Sequence, residues 1–257
     1  MNILAEIVDK LKPRLEERKR ALPMDVLAEQ AAQAPARPKF ADAFRGDGVH
    51  IIAELKKASP SKGLIRNDLN VKSLATELAA NGAAALSVLT EPNYFLGSEE
   101  NLAIAAKTVS IPLLRKDFIF DEYQILEAKA LGASCVLLIA AMLPPERFHQ
   151  LLEYAHAQGL DVLGEAHSEE ELKTAVTADL VGVNARDLRT FGTSLERSAA
   201  LIRTIPKDCV AIAESAVRNR ADMDMMTAAG AKGFLIGETL MRAEHPGLKL
   251  KELLQCC

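Results

Sequence analysis

The chain has 257 residues, 49% of them hydrophobic and 26% charged, with a net charge of −4. This is an ordinary globular mixture, long enough for one large α/β domain with a sizeable core. The slight acid excess excludes the global basic bias of a nucleic-acid or anionic-membrane binder. The absence of Trp and an aromatic content of 4% exclude a stacking platform for single strands.

Residues 1 to about 48 stand apart from the rest. Ile3, Leu4, Ile7, Val8 and Leu11 recur at helical spacing. Pro13 is expected to interrupt or kink that helix. A second helix is expected over Met24–Gln33, after Pro23, and Ala34-Pro35-Ala36-Arg37-Pro38 reads as a linker or turn. Between the two helices Arg14, Glu16, Glu17, Arg18, Lys19 and Arg20 mix both signs of charge. That mixture favours helices packed on the main domain over a membrane-surface helix. The stretch has no signal-peptide core, and the longest apolar run, Cys135–Leu143, is too short to span a bilayer. Cys135, Cys209, Cys256 and Cys257 form no C-x-x-C pair. A reducing compartment, no disulfide framework and a cytoplasmic location are expected.

From residue 50 strands alternate with helices. Strands are expected over His50–Leu55, Ala84–Leu89, Pro112–Lys116, Ser134–Ile139, Asp161–Glu165, Leu180–Asn184, Val210–Glu214 and Gly233–Ile236. Most are unbroken apolar runs, as parallel strands covered on both faces require. Helices are expected between them over Val71–Ala80, Ser98–Thr108, Glu122–Leu131, Pro145–Gln158, Glu169–Thr177, Ser194–Arg203 and Asn219–Ala229. Ser168-x-x-Glu171 reads as a capping box, and Gly82, Gly132, Gly159 and Gly230 each stand at an expected helix end. Eight such repeats point to a single (β/α)8 TIM barrel over 1–257, with 1–48 as an N-terminal helical extension. An open doubly wound sheet is the alternative. No G-x-G-x-x-G follows the first strand, which favours the barrel.

Active sites of such barrels lie at the C-terminal strand ends. Those ends are polar here, with Glu54 and Lys56, Glu91, Lys116, Glu165 and His167, Asn184 and Arg186, Glu214, and Glu238; the fourth, Ala140-Ala141-Met142, is apolar. Glu54 and Lys56, two apart on a strand, point to the same side. Each residue alone reads more simply as a solvated loop residue or an exposed ion pair. Two lysines, three glutamates, Asn184 and Arg186 on one rim would shift one another's pKa, as acid/base sites do. A lysine held near cations would be a proton donor of lowered pKa. The Ser215-Ala216 and Gly237-Glu238 turns lead from strand into helix and suit a phosphate. Glu238 fits there only if its amide meets the anion and its carboxylate turns away. No metal set, Ser-His-Asp or Cys-His arrangement is evident among the five histidines.

The stretch Ile52-Ala53-Glu54-Leu55-Lys56-Lys57-Ala58-Ser59-Pro60-Ser61-Lys62-Gly63 resembles the motif of the indole-3-glycerol-phosphate synthase family. The resemblance continues in order through Leu86–Glu91 with Tyr94-Phe95-Leu96-Gly97-Ser98, Leu114–Ile119, Gly182–Leu188 and Ala213-Glu214-Ser215, and extends to the N-terminal helices. It implies a carboxy-lyase of tryptophan biosynthesis that needs no cofactor or metal. Its substrate is 1-(2-carboxyphenylamino)-1-deoxyribulose 5-phosphate, closed to indole-3-glycerol phosphate with loss of CO2 and water. By the same resemblance Lys116 is the general acid, Glu165 the general base, and Lys56 an anion partner and second acid. Glu54 and Asn184 hold substrate and tune the lysines. Ser59, Arg186 and Glu214 bind substrate, and Phe95, Phe118, Leu137 and Leu188 wall the aromatic ring. Ser215, Ala216, Gly237 and Glu238 cradle the phosphate. Ala216 stands where the resemblance leads one to expect glycine.

Two other readings stay open from the residues alone. One is a different phosphate-binding barrel, an isomerase or a lysine Schiff-base aldolase. The other is a non-catalytic binding barrel, which the charged rim disfavours. The expected partner is a phosphorylated small molecule, with neither nucleic acid nor membrane, and a monomer is favoured. Lys56 is expected beside Glu54 and facing Lys116 across the mouth, with Ser59–Gly63 a loop that folds over the substrate.

Overall fold

Each of the eight apolar runs becomes a strand, and the strands close on one another in sequence order. The computed structural model describes residues 3–186 and 192–255. The strands are β1 (His50–Leu55), β2 (Ala85–Leu89), β3 (Leu113–Lys116), β4 (Cys135–Ile139), β5 (Asp161–Ala166), β6 (Leu180–Asn184), β7 (Val210–Glu214) and β8 (Gly233–Ile236). All neighbours run parallel, and β8 pairs with β1 to complete a closed barrel. The runs are unbroken because both faces are dry. Ile52, Leu114, Leu137, Leu163, Leu180, Ile212 and Leu235 fill the interior. Their sequence neighbours Ile51, Leu113, Val136, Val162, Val181, Ala211 and Phe234 face the helices.

The helices are α1 (Ile3–Ala21), α2 (Met24–Gln33), α3 (Val71–Ala80), α4 (Glu99–Thr108), α5 (Glu122–Ala130), α6 (Pro145–Ala157), α7 (Glu169–Ala175), α8 (Leu195–Ile202), α9 (Arg220–Ala229), α10 (Glu238–Arg242) and α11 (Pro246–Leu254). The last of these was not foreseen. Ser98, Ser194 and Asn219 are caps rather than first helical residues, each accepting a hydrogen bond from a backbone N–H three residues on. Ser168 forms half of the expected box: its hydroxyl accepts from Glu171 N, but Glu171 Oε2 accepts from His167 N at 2.6 Å instead. Reciprocal boxes occur at Asp121 with Gln124 and at Asn219 with Asp222.

Helix α1 runs on through Pro13 instead of breaking there. Proline removes one backbone donor, but Leu4, Ile7, Leu11 and Leu15 are all buried along one face and hold the turns on either side. Leu15, with Leu27 and Ala31 of α2, packs on Tyr123 and Leu126 of α5. The Tyr123 hydroxyl lies 3.1 and 2.9 Å from the Arg18 and Leu22 carbonyls. The chain then reaches the opposite end of the barrel. There Phe40 and Phe44 are buried with ring centroids 5.6 Å apart, and Asp161, at the start of β5, accepts from Lys39 and from Ala41 N. The extension thus packs against the barrel at both ends. Among the described residues no helix is long and apolar enough to cross a membrane.

Candidate active site

Barrel interiors fill in layers of four side chains from alternate strands. Two residues beyond the apolar interior positions Ile52, Leu114, Leu163 and Ile212 stand Glu54, Lys116, Glu165 and Glu214, on β1, β3, β5 and β7. The next odd-strand layer is therefore one ammonium among three carboxylates. It floors a cavity of about 510 Å³ at the C-terminal end of the barrel. Lys116 Nζ lies 2.8 Å from Glu165 Oε2 and 3.1 Å from Glu214 Oε2. Glu54 forms an ion pair with Lys56, and both line the same cavity as Lys116. Asn184, from β6, hydrogen-bonds Glu165 and accepts at Oδ1 from the Arg186 N–H. Two glycines make room for this layer. A Cβ on Gly182 would overlap Glu214 Oε1, and one on Gly237 would overlap Glu54 Oε1.

The electrostatics reverse one expectation. Lys116 is not surrounded by cations. Burial works against its charge, but Glu165, Glu214 and Glu54 outweigh burial and hold its pKa well above the ordinary lysine range. One ammonium does not satisfy two buried carboxylates equally. Burial pushes Glu165 up, yet Lys116 and His167 overcome it and hold the group well down. Glu214 is pushed up to about 8, by burial first and by repulsion from Glu165, against the pull of Lys116. Between its ordinary 4.5 and about 8, Glu214 carries a proton in the folded state that it lacks when unfolded. Its contribution to stability therefore falls as pH rises through that window. Thermal melting from pH 5 to pH 8 should show this slope in the wild type and a flatter one in Glu214→Gln; identical slopes would show that Glu214 is not the group.

The apolar wall comes from four sources. Phe95 and Phe118 approach to 6.0 Å between centroids, and Leu137 lies on β4. Ile3, Leu4 and Ile7 of α1 complete it. Buried Glu91 fixes the Phe95 loop by accepting from the N–H groups of Asn93, Tyr94 and Phe95 at 2.8, 2.7 and 3.0 Å. Asp117 accepts from Phe118 N, and Gln124 donates to Phe118 O. The stretch Ser59–Gly63 is not a free loop. Ala58–Ser59 and Gly63–Leu64 pair as a small antiparallel ribbon, with Ala58 N donating to Phe95 O and Arg186 to Ser61 Oγ.

At the far end of the cavity Ser215 and Ala216 take left-handed backbone conformations, φ 64° and 60°. Gly237 precedes α10, and Glu238 opens it. The Glu238 carboxylate turns to Arg242 Nε at 2.9 Å and lies 3.7 Å from Arg186. Burial raises its pKa, but Arg242, Lys62 and Arg186 outweigh burial and lower it. Lys62, Arg218 and Arg242, none of them foreseen, bring further positive charge to this end. The cavity brings together Glu54, Lys56, Ser59, Phe95, Lys116, Phe118, Leu137, Glu165, Asn184, Arg186, Glu214, Ser215, Ala216, Gly237 and Glu238. Leu188 lies outside the described residues.

The chain matches the family model described as indole-3-glycerol phosphate synthase over residues 4–253. It is 46% identical to the indole-3-glycerol phosphate synthase of Campylobacter jejuni subsp. doylei across 98% of this chain and all of that protein. The chain belongs to the indole-3-glycerol phosphate synthase family. The synthase of Koribacter versatilis is 51% identical over 80% of each chain. A solved tryptophan synthase alpha-subunit from Pyrococcus furiosus superposes with a TM-score of 0.62 at 17% identity, over 80% of this chain and 97% of that one. That likeness shows the fold alone. As a member of the indole-3-glycerol phosphate synthase family the protein is a decarboxylating lyase of tryptophan biosynthesis, acting on a phosphorylated small molecule.

Proposed function

We propose that the odd-strand polar layer carries the two proton-transfer phases of the reaction. The observation that supports this most is the triad Glu165–Lys116–Glu214, a buried ammonium between two carboxylates at 2.8 and 3.1 Å. Closing the ring joins the aromatic carbon to the ribulose carbonyl and turns that oxygen into an alkoxide. Lys116 protonates it. An ammonium of raised pKa is matched to an alkoxide and holds its proton until one forms. Glu165 then takes the carbon-bound proton in the dehydration that makes the indole aromatic. Lys56, poised by Glu54, meets the substrate carboxylate and serves as a second acid. Asn184 orients Glu165, and Glu214 binds sugar hydroxyls. Ser59 and Arg186 contact the substrate, while Phe95, Phe118 and Leu137 bound the anthranilate ring.

The phosphate lies against Ser215, Ala216, Gly237 and the Glu238 amide. Glu238 is tolerated there because Arg242 has neutralised it. Gly237→Ala would drive a methyl group into Glu54 and close this end, so KM should rise more than about tenfold (~1.4 kcal/mol), with a smaller change in kcat. Equal KM values for variant and wild type would exclude Gly237 from the cradle. No metal, cofactor or nucleic acid is needed, and the extension and barrel act as one monomeric catalytic unit in the cytoplasm. Purified protein given 1-(2-carboxyphenylamino)-1-deoxyribulose 5-phosphate should generate indole fluorescence. A folded preparation that generates none overturns these assignments.

A further inference from the structure

The chemistry of the reaction leaves a proton deficit. The carbonyl oxygen takes two protons before it leaves as water, whereas the substrate gives back one from carbon. The carboxylate departs as neutral CO2. Each turnover therefore draws one proton from solvent, although the acid and base groups lie on a buried floor. Glu165 and Glu214 side chains are 2% exposed, and Lys116 is 12% exposed.

One side chain leads outward from that floor. His167 follows β5, two residues past Glu165, and its imidazole is largely buried. Its Nε2 lies 3.4 Å from Glu165 Oε1, and its Nδ1 lies 3.4 Å from Glu171 Oε2. Glu171, in the first turn of α7, is 21% exposed. Neither ring nitrogen completes a hydrogen bond within the protein, an uncommon state for a buried imidazole. Catalytic hydrogen bonds are often long in the free enzyme and tighten when substrate binds. From the other packed elements, Arg197 of α8 binds the His167 carbonyl oxygen at 3.0 Å, and Asn184 of β6 and Glu214 of β7 stand on the inner side.

We propose that His167, backed by Glu171, is the proton inlet that recharges the Glu165–Lys116 pair after each turnover. It touches no reacting atom and acts through Glu165, so the inference rests on the role given to Glu165 above. The imidazolium gives its Nε2 proton to Glu165. Glu165 Oε2, 2.8 Å from Lys116 Nζ, passes the proton on to the amine left by ring closure, and the proton that Glu165 then takes from carbon leaves on the departing hydroxyl as water. Solvent then re-protonates the imidazole past Glu171, and no other bond changes. Burial opposes the charge on His167, but Glu171, Glu165 and Glu214 outweigh it and raise its pKa, which favours the protonated ring.

Rapid mixing of His167→Gln with excess substrate is the test. The first turnover, run on protons already in place, should match the wild type. Steady-state kcat should then fall about tenfold (~1.4 kcal/mol) with kcat/KM unchanged, so that KM falls in step, and imidazole buffer should restore it. Glu171→Gln, farther from the pocket, should behave likewise, should His167→Gln fail to fold. First and later turnovers that fall together, or steady-state rates at the wild-type level, overturn the inlet. Glu165→Gln separates the two readings. A fast first turnover in that variant removes Glu165 as base, whatever His167 does.

Discussion

Lys116→Met will abolish turnover and make the fold sensitive to alkali. The lost proton donor accounts for about 10²–10⁴-fold in rate, and the loss of the positive charge adds to it. The same change strands Glu165 and Glu214, both fully buried, without the ammonium that lies 2.8 and 3.1 Å away. Removing one partner of a buried ion pair costs about 3–5 kcal/mol. That penalty falls on the ionised carboxylates, so it grows as pH rises and shrinks once both groups are protonated. Melting temperatures at pH 5 and pH 8, with indole production followed in parallel, check both halves. Turnover near the wild-type rate removes Lys116 from the chemistry. A stability loss independent of pH removes it from the charge balance of the floor.

Arg115→Leu will destabilise the protein as strongly and reach the substrate site only indirectly, through Asp117 and Phe118. Adjacent on β3, Arg115 points away from the cavity and is fully buried under α4 and α5. It donates to Glu127 at 2.7 Å, Asp117 at 3.0 Å, the Gln124 carbonyl at 2.9 Å and Thr90 Oγ1 at 3.1 Å. Leucine fills part of the space and leaves Asp117 and Glu127 facing each other. The expected loss is about 3–5 kcal/mol, visible as a lower denaturant midpoint. Because Asp117 also holds Phe118 N, the surviving folded fraction should bind substrate more weakly. Adding Asp117→Asn should recover part of the stability. A midpoint unchanged by Arg115→Leu would mean that Arg18, which also reaches Glu127, carries that side alone.

The strands were legible because burial on both faces leaves runs that no amphipathic helix shows, and the rim because polar residues end those runs. Strand parity then fixes which of them share a layer: Glu54, Lys116, Glu165 and Glu214 sit on odd strands. The environment of Lys116 was not legible. Its carboxylate neighbours are 49 and 98 residues further along the chain and meet it only when the barrel closes. The target of α1 was hidden for the same reason. Ile3, Leu4 and Ile7 announce a buried face but not what buries it. The continuity of α1 past Pro13 depends on tertiary packing, which outweighs a local backbone preference. The ribbon at Ala58–Leu64 escaped notice because each of its strands is two residues long and lacks any apolar alternation.

The extension that packs against both ends of the barrel also sets an order of assembly. Lys39 and Ala41 need Asp161, and Phe44 packs where Gly233 leaves room for its ring. Ile3 and Ile7 need a mouth whose rim is finished only with Gly237. These contacts join residues 120 or more apart in the sequence, and contacts of such separation form late. On the ribosome the residues ahead of β1 emerge before the barrel and find none of its surface to bind. The segment made ahead of the barrel is therefore the one that docks last, and its docking signals that the barrel is whole.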